Sequence, residues 1–377
     1  MLQNHALLPC QLDEEPNQGR NATATPVQLL DMADGLMMHQ ALYAVAKLGV
    51  ADLLKDGPRT TADIARELDV NEAALYRLLR ALASREIFEE IGPRTFANNG
   101  LSQFLCTGLP GSVRALTIFR GSEFFFAAFG EILYSVRTGE SARTKINGQN
   151  GFETLRGDPE AAEVFDDAMT NLSQLVAPGI ASAYDFGQWG SVTDVGGGNG
   201  ALLAEILRVH TSLRGVLADQ PHVLERACRR GFLSGDLAER SAMESCDLFG
   251  EIPSGCRAYL MKSVLVDWND EQARNILLNC RKVVPEDGAL LVVDFSAGED
   301  DLSLQGALVD IAMLVLTGGR VRTVREYRDL LASGGFRLNQ VIPVPGGVSL
   351  LEALPIQESA QRSCNLATTP FQIPRMD

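Results

Sequence analysis

The stretch from Thr193 to Leu207, TDVGGGNGALLAEIL, joins an acid to four glycines and then to a helical pattern. A strand ending at Asp194, a loop that turns freely at Gly196, Gly197, Gly198 and Gly200, and a helix start let a ligand come close to backbone amides. Such a loop alone serves either a dinucleotide or S-adenosylmethionine. Its spacing here is D-x-G-G-G-x-G rather than G-x-G-x-x-G. That sets a carboxylate where a cationic amino-acid tail is better served than a pyrophosphate. A second acid, Asp219 in VLADQPHV, precedes Gln220 and lies about twenty residues beyond the glycines, the distance at which a carboxylate takes hydrogen bonds from ribose hydroxyls. A third, Asp247 in SCDLFGEIP, stands beside Leu248 at the expected end of a third strand, where a carboxylate receives an adenine amino group. Each acid alone reads as a solvated loop residue. Together, at successive strand ends, they predict an S-adenosylmethionine site.

The elements that must position these groups follow from the apolar runs SVTDVGGG, RGVLADQ, RAYLMKSVL and GALLVVDFS, which alternate with helical patterns. Runs of this kind imply a mostly parallel sheet covered on both faces, a doubly wound α/β Rossmann-like fold over residues 186–355. Residues 26–185 read instead as a helical domain. Its first run, Pro26 to Leu54, predicts one or two buried helices closed by Gly57-Pro58. The next, from Thr60 to Gly100, has the order of a winged helix-turn-helix, with wing strands at Ile87 to Glu90 and Thr95 to Ala97. Phe124, Phe125, Phe126 and Phe129 form an aromatic cluster at helical spacing, read as core. Residues 1–25 and 356–377 read as flexible tails.

Composition narrows the classes. The 377-residue chain carries a formal charge of −15, which disfavours a grip on phosphate backbones or anionic lipid. The winged motif's Arg77, Arg80 and Arg85 are balanced by Glu72, Glu86, Glu89 and Glu90, so a structural or dimer-forming role is favoured over DNA reading. Seven scattered cysteines without C-x-x-C spacing point to reduced thiols in a cytoplasmic protein, with no metal cluster. No apolar segment is long enough to span a membrane.

The stretches YDFGQWGSVTDVGGGNGALLAEIL, DLFGEIPSGCRAYLMKSVLVDWNDEQARNILLNCRKVVPEDGALLVVD and DIAMLVLTGGRVRTVREYRDLLASGGF, with HQALYAVAKLGVADLL and SVRTGES earlier, resemble the plant-type and bacterial small-molecule O-methyltransferases. The resemblance runs over residues 26–355. It implies a winged-helix dimerisation domain, a class I methyltransferase domain, S-adenosylmethionine as cofactor, a homodimer and no metal. By the resemblance, Gly196, Gly197 and Gly198 hold the amino-acid part beside Asp194, and Asp219 and Gln220 the ribose. Asp247 and Leu248 take the adenine, Trp268 its face, and Lys262 the adjacent backbone or tail. Met169 and Ser173 reach the methionine portion.

The family's base is a His just before Asp-Trp, and this chain has Val266 there. Of the two carboxylates that flank that His in the family, the first matches Asp294 and the second is replaced by Val321 in GGRVRT. The His-assisted route to a phenolate is therefore closed. His5, His210 and His222 offer no replacement, while His39 lies on the segment whose helices reach the partner's pocket in this family. Asp267, Asp294 and His39 remain the candidate catalytic groups. Two readings follow: methyl transfer to a small natural-product intermediate by proximity and positioning, or a non-methylating enzyme on the same fold, a hydroxylase as among His-less polyketide tailoring members or a pericyclase as among fungal relatives. A transcription regulator is a third, disfavoured by the acidic balance and the retained cofactor loop.

Overall fold

The computed structural model describes residues 25–295 and 298–357. The expected tails, with His5, fall almost wholly outside them. The chain begins with helices α1 (Pro26–Leu48) and α2 (Val50–Leu53), strand β1 (Arg59–Thr60), helices α3 (Thr61–Leu68) and α4 (Glu72–Ala83), and strands β2 (Glu89–Gly92) and β3 (Thr95–Ala97). These three strands pair in the order β1-β3-β2. Leu75, Leu79 and Leu82 of α4 recur on one helical face and are buried against Val45, Ile64 and Phe96. Two expectations need correction. The second wing strand's partner begins at Glu89, not Ile87. The first half of α1 is not buried within the chain: Val27, Leu29, Leu30, Met32, Leu36 and Met37 face outward.

Helices α5 (Arg114–Gly121), α6 (Glu123–Gly130), α7 (Ile132–Thr138), α8 (Ala142–Asn147), α9 (Gly151–Gly157) and the long α10 (Pro159–Ala183) follow. Phe125 and Phe129 stack at 4.7 Å between ring centroids, and Phe119 meets Phe125 and Phe165 edge-on. The aromatic cluster is thus helix–helix packing, save for Phe126, which is exposed.

The remaining elements are β4 (Ser191–Val195), α11 (Ala201–Val209), β5 (Arg214–Asp219), α12 (Pro221–Arg230), β6 (Ser241–Ser245), β7 (Ala258–Lys262), α13 (Asp270–Val283), β8 (Ala289–Asp294), α14 (Leu304–Leu316), α15 (Val324–Ser333), β9 (Phe336–Val344) and β10 (Val348–Pro355). They build a seven-stranded sheet ordered β6-β5-β4-β7-β8-β10-β9, in which only β10 runs against its neighbours. Every residue of β8 and the first four of β7 are buried, as both-face coverage demands. The order reverses between β4 and β7. A doubly wound sheet binds ligands in the crevice at such a switch point, beyond the carboxyl ends of the strands.

The long helix α10 is tied to the sheet at its end. Tyr184 donates its hydroxyl to Glu352 of β10 at 2.5 Å and accepts from Trp189 Nε1 at 2.8 Å, and both Tyr184 and Glu352 are buried. Replacing Tyr184 by Phe leaves a buried carboxylate oxygen and an indole N–H short of a partner. Urea unfolding of Tyr184→Phe is expected to show a loss of about 2 kcal/mol, and an unchanged midpoint would show that water replaces the hydroxyl.

Candidate cofactor and active site

A cavity of about 200 Å³ opens at the switch point. Its floor is the carboxyl ends of β4, β5 and β7, which deliver Asp194, Asp219 and Lys262, together with the glycine loop. A Cβ on Gly197 would lie 2.5 Å from Leu217 and 2.7 Å from the Asp194 carboxyl, so only glycine lets the loop fold down onto the strand end. Asp219 holds the loop from the side, accepting from Gly198 N at 2.9 Å and from Gln220 N at 2.7 Å. Asp194 is almost completely enclosed, and its Oδ2 has no partner. The buried Oδ1 of Asn199 on the same wall is likewise unmatched. Unpaired buried acceptors of this kind call for a donor, and an ammonium group is the donor that suits a carboxylate.

The roof comes from α9 and α10, which bring Phe152, Phe165, Met169 and Ser173 to the cavity. Arg156 donates to Gln220 at 2.8 Å, Asn199 donates to Thr170 at 2.9 Å, and Arg226 pairs with Asp166. Trp268 stacks on Phe152 with ring centroids 5.8 Å apart and meets Phe249 edge-on at 4.8 Å. Phe152, Trp268 and Leu248 together give the cavity an aromatic and apolar wall, against which a planar base can lie.

Charge dominates the centre. Asp194, Asp267 and Asp294 all lie close enough to Lys262 to be felt by it, and burial holds the Lys262 ammonium below its ordinary value despite them. Burial pushes Asp194 up to about 7, with Asp219 adding to the rise. Asp267 is pushed up to about 8 by burial and then by Asp294, with Lys262 pulling the other way. For Asp294 burial raises the value to about 6, against the Tyr327 hydroxyl, which donates at 2.6 Å. One ammonium facing three carboxyls leaves room for a second positive charge.

Of the residues expected from the sequence, Asp194, Gly196, Gly197, Gly198, Asp219, Gln220, Leu248, Lys262, Trp268, Met169, Ser173 and Asp267 all lie on this one cavity. Asp247, Asp294 and His39 do not. Asp247 stands two residues beyond β6 and spends its carboxyl on its own turn, accepting from Phe249 N at 3.0 Å. Asp294 is sealed behind the wall with Tyr327, and His39 sits half-buried on α1. Val266 and Val321 are both buried, at 3% exposure. His222 reaches the rim from the first turn of α12. Asn199, Phe152, Asp166 and Arg226 went unpredicted. Only Asn199, inside the glycine motif, gave a sequence signal.

A seven-stranded sheet with one reversed strand, a glycine loop after its first strand and an acid after the second defines the class I methyltransferase fold. The chain matches the O-methyltransferase domain over residues 129–337 and the O-methyltransferase dimerisation domain over residues 30–108. It is 37% identical to phenazine O-methyltransferase PhzM of Lysobacter antibioticus, over 90% of this chain and 99% of that one. It is also 34% identical to aclacinomycin 10-hydroxylase RdmB of Streptomyces purpurascens, over 88% and 91%. Its fold superposes with a TM-score of 0.75 on NcsB1, an O-methyltransferase from neocarzinostatin biosynthesis solved with S-adenosyl-L-homocysteine and 1,4-dihydroxy-2-naphthoic acid, at 31% identity and covering 88% and 100%. The chain belongs to the S-adenosylmethionine-dependent O-methyltransferase family and is an enzyme of it. Among the described residues no helix is long and apolar enough to cross a membrane.

Two outcomes are expected. Asp219→Ala should weaken S-adenosylhomocysteine binding by at least about tenfold in calorimetry, and unchanged affinity would displace the site. As pH rises through about 7 to 8, Asp194 and Asp267 gain negative charge, so the cavity becomes more attractive to a cation. Affinity for the S-adenosylmethionine sulfonium should then climb from pH about 7 to about 9, while that for neutral S-adenosylhomocysteine climbs less. Parallel curves for the two ligands would refute this.

Proposed function

We propose that the enzyme transfers a methyl group to a hydroxyl of a small aromatic natural-product intermediate, with Asp267 as the proton acceptor. The carrying observation is the Asp267 carboxyl on the cavity wall, one residue past the Val266 that replaces the family's histidine, with its pKa raised to about 8. A base of that strength suits a phenolic proton at mildly alkaline pH. When bound, S-adenosylmethionine supplies an electrophilic methyl group on a sulfonium. Asp194 and Asn199 take its ammonium, Asp219 the ribose, and Trp268 with Leu248 the adenine. Val264 supplies apolar surface to the cavity beside Asp267, while Val266 and Val321 are buried off its lining. With the cofactor bound, Asp267 would take the proton that the acceptor hydroxyl gives up on methylation.

The exposed apolar residues of α1, with Leu304, Leu308 and Ile311 of α14, support a homodimer. Across such an interface His39 would stay with the dimer helices. We also infer a winged-helix unit in α3, α4 and the β1-β3-β2 sheet, a division into two domains near residue 186, and a cytoplasmic setting, which the free thiols of Cys106, Cys246, Cys256 and Cys280 suit.

A second reading rests on the same pair of apolar replacements. Val266 and Val321 also suit an enzyme that does not transfer a methyl group, and one relative is named as a hydroxylase. Incubation with S-adenosylmethionine and a panel of fused-ring phenols decides between them. Methyl transfer gives S-adenosylhomocysteine and a product one methyl group heavier, while an oxygenated product with intact cofactor overturns it. Asp267→Asn should cut methyl transfer by about 100-fold yet leave S-adenosylhomocysteine affinity nearly unchanged. Full activity in that variant would remove Asp267 from the chemistry.

A further inference from the structure

The loop that carries Val266, Asp267 and Trp268 has no regular partner of its own: a short 3₁₀ turn, Leu265–Asp267, links β7 to α13. Its support comes from a segment more than fifty residues later, between α14 and α15. Gly319 lies so close beneath it that a Cβ there would stand 2.2 Å from the Val266 carbonyl oxygen. Arg320 N donates to that same oxygen at 2.9 Å. Beside it Arg322 is buried, at 1% exposure. Its Nη1 donates to Leu265 O at 2.9 Å, its Nη2 to Trp268 O at 2.8 Å, and its Nε to Asp270 Oδ1 at 2.9 Å. A further bond from Nη1 reaches Arg320 O at 3.3 Å.

We propose that Arg322 is a positioning residue for this site, acting through residues 265–268 to keep the Asp267 carboxyl and the Trp268 ring on the cavity wall. The guanidinium does not line the cavity, so it touches neither cofactor nor acceptor. It grips carbonyls at both ends of the loop, Leu265 and Trp268, and thereby fixes the two residues between them, Val266 and Asp267. Only a planar fork of several donors reaches three carbonyls and a carboxylate at once. A lysine ammonium brings the same charge to one point.

The charge has a second effect. Burial raises Asp294, and after the Tyr327 hydroxyl and the Phe295 amide, the Arg322 charge pulls it back toward ionisation, to about 6. Asp267 receives no such help from Arg322 and is higher, at about 8. The order in which the two acids lose their protons therefore depends in part on Arg322.

The proposal deepens the reading of Asp267 as proton acceptor, and rests on it only for the pH outcome below. The test uses the full chain with Arg322→Lys, Asp270→Asn and Asp267→Asn. For Arg322→Lys, S-adenosylhomocysteine affinity by calorimetry should fall by about tenfold, since a displaced wall misplaces the adenine slot. Hydrogen exchange of the peptide covering 264–271 should quicken by about tenfold or more, with peptides from β4 and β8 unchanged. The pH midpoint of S-adenosylmethionine binding should move by about half a unit, an effect that a merely structural role would not produce. Exchange that rises uniformly, or that stays at the wild-type rate around 264–271, overturns the proposal. Should Arg322→Lys fail to fold, Asp270→Asn decides, because it removes the guanidinium's one carboxylate partner from an exposed site. Localised quickening there supports the proposal and its absence overturns it. Asp267→Asn separates the two ideas: it should remove the part of the pH step near 8, leaving the Asp194 part near 7, while exchange of 264–271 stays slow. If the part near 8 survives in that variant, the reading of Asp267 fails while the exchange result for Arg322 still stands.

Discussion

The site depends on one electrostatic imbalance. Lys262, at the end of β7, is grouped with Asp194 from the end of β4, Asp294 from the end of β8 and Asp267 from the turn that follows β7. Desolvation pushes all four toward neutrality, most completely for the enclosed Asp194 and Asp294. Lys262 holds back part of that drift while Asp294 adds to the rise at Asp267 and Asp219 to that at Asp194, and the carboxyls come out raised to about 6, 7 and 8. An arrangement so short of positive charge is incomplete without a cation, and the cofactor that the family uses is one. The sulfonium and the ammonium of S-adenosylmethionine therefore meet a protein already prepared for them.

That imbalance can exist only because the sheet brings the strand ends together. β4, β7 and β8 are adjacent and parallel, so residues far apart in the chain arrive at one edge with their side chains pointing out of the same end. Gly197 then lets the loop cover that edge at a distance no side chain would allow. The buried apolar strands do the work of bringing charges close that would otherwise repel or hydrate.

Much of this was readable from residue order. Asp194, the glycines and Asp219 sit at strand ends, and strand ends are set by short-range apolar patterning, so their meeting at one cavity followed from the fold class. Lys262 and Trp268 were placed by resemblance and share that cavity. Asp247 stands just off the cavity lining, because the pattern marks where a strand stops, not which way the next two residues turn, and here one carboxyl oxygen accepts from its own turn. The outward face of α1 was hidden for a related reason: apolar periodicity reports that a face is covered, without saying whether the cover is the same chain. Arg322 carried no local signal at all. Its bonds to Leu265 and Trp268 span more than fifty residues of sequence, and in the text GGRVRT it is an ordinary charged loop residue.

The roof raises a different matter. α9 and α10 are joined to the cofactor wall through Arg156 and Gln220, Thr170 and Asn199, and the largely buried pair Asp166 and Arg226, while the far end of α10 packs into the apolar core. Such a cover seals the cavity long enough to exclude water, yet it must part each time spent cofactor leaves and fresh cofactor enters. Of these links only Asp166–Arg226 is an ion pair, and release of spent cofactor calls on groups outside the strand ends that hold it.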